Sequence, residues 1–174
     1  MVQLDEELDE LKLKESTLII FVSDHGFLLG EHDLWQKPNL FENTLRIPLI
    51  ISDPSSAKAG LSSDSLIELI DIYPTLAQLT GLTPPDYLQG TSLRPLLDHP
   101  ERLGKKKYAY SIVTRGKDMG YALRNQRWRY GKWPDGEELY NLTRDPEEKK
   151  NLADRDDLHP RLEEFRKVLK QRQD

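Results

Sequence analysis

Residues 17–22 form an apolar run rich in β-branched and aromatic side chains, with no polar alternation. Such a run predicts a strand covered on both faces, the kind found in mostly parallel sheets. It ends on Ser23-Asp24-His25-Gly26. In open α/β sheets, ligands bind in the crevice beyond the carboxyl ends of the strands. Position alone therefore singles out that tetrapeptide. A polar loop with Gly30, Glu31, His32, Trp35, Lys37 and Pro38 follows, and residues 48–51 read as a second buried strand stopped by Asp53-Pro54. Asp71 can cap a helix over 72–80, with Pro74 tolerated in its first turn and Gly81 as its stop. Helices alternating with buried strands predict an α/β layer architecture.

Upstream of the first strand, Leu4, Leu8 and Leu11 fall on one helical stripe. No capping residue precedes that stripe, so a helix opening at the first residue points to further sequence upstream. The character changes near Pro84-Pro85. Residues 108–113, 120–124 and 127–133 read as short antiparallel strands, with turns at Asn125-Gln126 and Pro134-Asp135-Gly136 and a last strand at 139–140. Within 127–133, period-two alternation predicts Trp128 and Tyr130 on a core, with Arg127, Arg129 and the Lys132 stem toward water. Leu158, Leu162, Phe165 and Leu169 mark a C-terminal amphipathic helix capped by Asp157. The expected organisation is an α/β part over 1–83, a transition over 84–107 and a sheet-plus-helix subdomain over 108–174.

The 174 residues are enough for a real core. A net charge of −5 argues against a general nucleic-acid binder. The sequence has no cysteine, which excludes disulfides and thiolate metal sites and leaves the redox compartment open. The acidic start does not resemble a signal peptide, and the apolar runs at 18–22 and 47–51 are too short to span a bilayer. The expectation is a soluble chain with neither a membrane nor a nucleic acid as partner.

Asp24 and His25 place a carboxylate and an imidazole side by side, a pairing that suits a metal ligand or an acid–base pair. The same residues could cap a turn and fill a half-buried space. Lys37 offers a compact cation for an anionic ester group, or is simply solvated. His32 stands in the same loop. Residues 141–143 match a glycosylation acceptor, a pattern common by chance. No Gly-rich phosphate loop, His-Glu-x-x-His helix or nucleophile elbow is present.

In order and spacing, these pieces resemble the sulfatase family of the alkaline phosphatase superfamily, and within it the iduronate-2-sulfatase-like branch. The resemblance is carried by SDHG (23–26), LGEHDLWQK (29–37), RIPLIIS (46–52), IDIYPTLAQLTGL (70–82), LQGTSLRPLL (88–97), GYALRNQRWRYGKW (120–133) and ELYNLTRDPEEKKNLA (138–153). It implies the C-terminal part of an alkaline-phosphatase-like fold plus a small antiparallel sheet with a C-terminal helix. It also implies that Asp24, with His25 beside it, binds a divalent cation, calcium ordinarily and magnesium as an alternative. Lys37, seconded by His32, would bind the sulfate of a sulfated small molecule or glycan. By family analogy the compartment would be periplasmic, extracellular or lysosomal.

In that family a hydrated formylglycine attacks sulfur in line while cation and basic groups neutralise the sulfate oxygens. The formylglycine arises from a Cys/Ser-x-Pro/Ala-x-Arg motif, and no position here fits it: Ser55-Ser56-Ala57-Lys58-Ala59 lacks the arginine. The pair of N-terminal metal-binding aspartates is missing too. The resemblance therefore implies a sulfuric ester hydrolase fragment without catalytic residues of its own. The alternatives are a phosphoesterase of the same superfamily and a non-catalytic remnant or binding domain.

Overall fold

A computed structural model describes residues 2–56 and 58–173. The elements run α1 (Val2–Glu10), β1 (Ile19–Val22), α2 (Glu42–Leu45), β2 (Leu49–Ser52), α3 (Ile72–Leu79), α4 (Arg94–Asp98), β3 (Ala109–Arg115), β4 (Asp118–Arg124), β5 (Trp128–Trp133), β6 (Gly136–Asn141) and α5 (His159–Gln173). They divide into two compact units. One takes in the chain to Asp24, Pro48–Ser65 and Leu69–Gly104; the other takes in His25–Ile47, Leu66–Glu68 and the chain from Lys105. The α/β class with an appended antiparallel sheet and terminal helix is the one the sequence implies.

In the first unit both apolar runs form strands, β1 and β2, paired antiparallel with Ile19 opposite Ser52 and Val22 opposite Leu49. An unalternated run carries no information on strand direction, and the long excursion between the two strands returns the chain reversed. Phe21 is 44% exposed and Ile50 51%, so this chain does not itself cover both faces of the pair. Pro74 lies in the first turn of α3, as its missing N–H permits. At the other end, Leu82 N–H reaches Ala77 O (2.8 Å) and Gly81 N–H reaches Gln78 O (3.3 Å), with Gly81 at φ 75°. That is a helix stop requiring a left-handed residue. Asp71 departs from its expected capping role. Its buried carboxylate accepts the Thr91 N–H at 2.8 Å, while Thr75 Oγ1 takes up the Asp71 carbonyl. The carboxylate is thus committed to a backbone donor twenty positions along the chain and not to the first turn of its own helix.

The second unit is built on the sheet β3-β4-β5-β6, antiparallel throughout. Asn125 Oδ1 accepts the Arg127 and Trp128 N–H groups, forming the turn between β4 and β5, and Pro134-Asp135 joins β5 to β6 with Trp133 opposite Gly136. One face carries Leu123, Trp128, Tyr130 and Leu139 against Leu162, Phe165 and Leu169 of α5. Tyr130 and Phe165 stack with ring centroids 5.6 Å apart. Asp157 does not cap α5: its carboxylate is held by Arg155 Nε and Nη2 at 2.8 and 2.7 Å. A bidentate guanidinium is the stronger partner for an ionised carboxylate.

The opposite face corrects the expectation for Arg129, which is 0% exposed rather than facing water. Leu40 and Leu45 pack over Ala122, Val113 and Trp133 on this side, so the sheet is covered on both faces. Alternation tells which side chains share a face and not what lies on it.

Glu137 fastens α5 to the sheet. Hydrogen bonds from Arg166, then from the Tyr130 hydroxyl, hold its carboxyl down to about 2 against an ordinary 4.5. A carboxylate depressed in the folded state contributes stability that is complete above its unfolded pKa and is lost as pH falls through the folded one. Thermal melts between pH 6 and 2 are expected to show the wild type losing stability from about pH 4.5 downward more steeply than Glu137→Gln. Parallel curves would remove Glu137 from the acid transition.

Candidate functional site

Asp24 ends the first segment of the first unit, exposed just past the end of β1, where Ser23 N–H donates to Pro48 O at 3.4 Å. His25 opens the second unit. Its Nδ1 donates to Gly26 O at 2.6 Å, so a neutral ring carries its lone pair at Nε2. Gly26 is required by close packing. Its N–H donates to Thr44 O at 2.8 Å, and a Cβ there would sit 2.4 Å from Asn43 O and 2.8 Å from Thr44 Cα.

The loop that follows folds back on itself. Leu28 N–H reaches Gln36 O (3.1 Å) and Gly30 N–H reaches Leu34 O (3.0 Å). Its tip is tight: Gly30, His32 and Asp33 have φ of 121°, 54° and 57°. The Glu31 carboxylate accepts backbone N–H groups, including that of Leu29 at 2.7 Å, which hold its pKa below the ordinary carboxylate range. Lys37 stands exposed where the loop returns beside residue 28, and its carbonyl accepts the Asn39 N–H at 2.9 Å. His32 lies flat on Phe41, with ring centroids 3.7 Å apart and planes 6° from parallel. His25, His32 and Lys37 thus stand on one folded segment of the second unit, and Asp24 stands on the strand end of the first.

Residues that the sequence reading did not single out secure this segment. Glu148, buried and left-handed at φ 53°, accepts the Glu42 N–H at 2.6 Å through Oε2 and pairs with Arg129 Nε through Oε1. Arg129 Nη1 donates to Glu138 at 2.8 Å. Its Nη2 has no hydrogen-bond partner among the described residues, and the guanidinium lies against Tyr140 and Phe41, 4.7 and 5.2 Å from their centroids. Ring faces partly replace the missing acceptor. Burial pulls the Arg129 pKa down, but Glu148 and Glu138 more than offset it and keep the guanidinium charged. His32, Phe41, Arg129 and Tyr140 are therefore linked in one chain of contacts. The only sequence signal for it was a carboxylate-rich turn at 145–148, which reads equally well as solvated.

Among the described residues, no group of three or more His, Asp or Glu side chains is placed to hold a metal ion. Calcium takes six to eight oxygens and magnesium six. Asp24 and His25 could supply two donors, one of them nitrogen, and so do not by themselves make a site for either cation. No helix of the described residues is long and apolar enough to cross a membrane.

Comparison with known proteins matches residues 30–174 to the family described as N-sulphoglucosamine sulphohydrolase, C-terminal. The choline-sulfatase of Rhizobium meliloti is 36% identical over 162 residues, covering 87% of this chain and 31% of that protein. Among solved structures, BT4656 in complex with its substrate D-glucosamine-2-N,6-O-disulfate superposes with a TM-score of 0.92 at 27% identity, over 99% of this chain and 37% of that one. The phosphonate monoester hydrolase of Agrobacterium radiobacter gives 0.88 at 28% identity, over 98% and 38%. The chain spans about a third of the length of the curated relatives it matches.

Proposed function

The chain belongs to the N-sulphoglucosamine sulphohydrolase C-terminal family of sulfatases, and from that premise we propose that it supplies part of the active site of a sulfuric ester hydrolase. In this reading Asp24 and His25 contribute to a divalent-cation site, calcium by preference, that other parts of a complete enzyme finish. Lys37 and His32 face the sulfate. The formylglycine nucleophile and the remaining acidic ligands are supplied from outside these residues, and the iduronate-2-sulfatase-like branch is the assignment within the family. The substrate class is a sulfated small molecule or glycan; relatives named for glucosamine disulfate and for N-acetylglucosamine 6-O-sulfate favour the glycan.

One observation carries the reading. The loop leaves the SDHG tetrapeptide, is pinned at Gly26 to Thr44, and returns Lys37 beside residue 28. An ammonium presented in this way suits an anionic ester oxygen. A phosphonate or phosphate monoester is the second reading, favoured by the likeness to a phosphonate monoester hydrolase.

The purified 174-residue chain, given an aryl sulfate and excess calcium, is expected to show no turnover above buffer. Robust hydrolysis that disappears in Asp24→Ala would overturn the assignment of the nucleophile to another part of the enzyme. Hydrolysis of a phosphonate monoester but not of the sulfate would select the second reading.

A further inference from the structure

Helix α5 covers the row Leu123–Tyr130–Leu139 of the sheet, but the same face continues by another row. There Tyr121 pairs across to Lys132, and Lys132 to Glu137. Alongside the C-terminal half of the helix this row floors an open cleft of about 730 Å³. Lys117 enters it from the turn between β3 and β4, Lys132 from the floor, and Arg166 and Lys170 from α5.

Four cations line a cleft whose single carboxylate, Glu137, is shared by Arg166, the Tyr130 hydroxyl and, at 3.8 Å, Lys132, while Arg166 also pairs with Glu163, so the surplus lies in Lys117 and Lys170. Lys117 and Lys170 make no ion pair among the described residues. The contrast with the chain as a whole, which carries a net charge of −5, makes this a local surplus rather than a generally basic surface. Ammonium groups on flexible stems suit several separated monoanions better than one planar carboxylate. The half-buried Tyr121 ring offers an apolar patch among them.

We propose that this cleft binds a sulfated oligosaccharide, with Lys117, Lys132 and Lys170 on sulfate groups and a sugar face against Tyr121. The choice of a glycan over another polyanion rests on the sulfatase reading. The cleft would then hold stretches of a sulfated chain other than the ester being cleaved. A short sulfated oligosaccharide needs contacts at only a few sulfates, whereas a nucleic-acid binder would need a wider basic footprint.

The test is fluorescence anisotropy of a labelled, fully sulfated heparin-type hexasaccharide with the purified chain, which is expected not to consume it. Lys117→Gln/Lys170→Gln should weaken binding roughly fivefold or more and flatten its salt dependence, as expected for two lost charge contacts. Lys149→Gln/Lys150→Gln should change neither, and far-UV circular dichroism should show each variant folded. Equal binding of the desulfated hexasaccharide, equal binding of a single-stranded oligonucleotide of matched charge, or no binding at all would each overturn the proposal. Loss of binding in Lys37→Gln but not in the cleft variants would place the glycan on the SDHG-linked loop instead. That outcome refutes the cleft and leaves the sulfatase reading standing, which the turnover assay tests separately.

Discussion

Glu148→Ala is expected to destabilise the second unit by about 3–5 kcal/mol, because it leaves the fully buried Arg129 guanidinium without its closest counter-charge. The loss has two parts. Glu138 remains on Arg129 Nη1, but that carboxylate is itself partly in water and cannot replace a buried one. The Glu42 N–H, bound by Glu148 Oε2, also loses its acceptor at the start of α2. An amide left unsatisfied out of water costs about 1–3 kcal/mol. Glu148 adopts a left-handed backbone that a non-glycine residue takes only when its surroundings compel it. Alanine keeps that strain and drops the contacts that justify it. The decisive comparison is Arg129→Met/Glu148→Ala. With no charge stranded, it should recover at least about 1 kcal/mol relative to the sum of the two single changes. Urea unfolding followed by the fluorescence of buried Trp128 and Trp133 reads both. A single variant within about 0.5 kcal/mol of wild type, the range of an ordinary surface change, would show that the pair contributes little.

The same pair shows where sequence reading stops. Period two correctly grouped Trp128 with Tyr130 and set Arg129 apart from them, since strand geometry forces that alternation; Lys132, expected toward water with Arg129, instead shares the face of Tyr130. What covers the Arg129 face comes from Leu40, Phe41 and Glu42, and from Glu148, which bonds Glu42 across 106 positions of chain. Nothing local announces a contact of that span. Pro74, Gly81 and the spacing of Leu162, Phe165 and Leu169 were legible because each acts through its own backbone or helical face. Asp71 and Asp157 depart from their expected capping roles for the converse reason: a carboxylate at a helix start signals a cap only if no other donor takes it, and here a distant backbone N–H takes Asp71 and a guanidinium takes Asp157. Asp24, His25, His32 and Lys37 were visible as a pattern, and the folded loop explains how His32 and Lys37 are held. The stacking of His32 on Phe41 depended on a tip conformation that no residue type in the loop dictated.

The SDHG tetrapeptide ends on a glycine that cannot gain a side chain without displacing backbone. Gly26→Ala would bring a methyl within 2.4 Å of Asn43 O and 2.8 Å of Thr44 Cα. Both are backbone atoms, so no rotamer can turn aside. Either the 43–44 backbone retreats or residue 26 lifts away, and in both cases the 2.8 Å bond from the residue 26 N–H to Thr44 O lengthens. Thr44 is poorly placed to yield, because its hydroxyl donates to Asn39 Oδ1 and it is fully buried. Overpacking of this kind costs about 1–3 kcal/mol, and the rigid backbone on the far side argues for the upper end. Amide hydrogen exchange localises the effect. The amide of residue 26 is expected to exchange at least tenfold faster, the equivalent of about 1.4 kcal/mol of local protection, with smaller changes at residues 44 and 45. Gly136→Ala is the control: nothing lies within 4 Å of its Cβ position, and its stability should stay within about 0.5 kcal/mol of wild type. If Gly26→Ala instead matches Gly136→Ala in both measurements, the contact between the tetrapeptide and residues 43–44 does not persist in solution. The loop bearing His32 and Lys37 would then lose its anchor at Gly26.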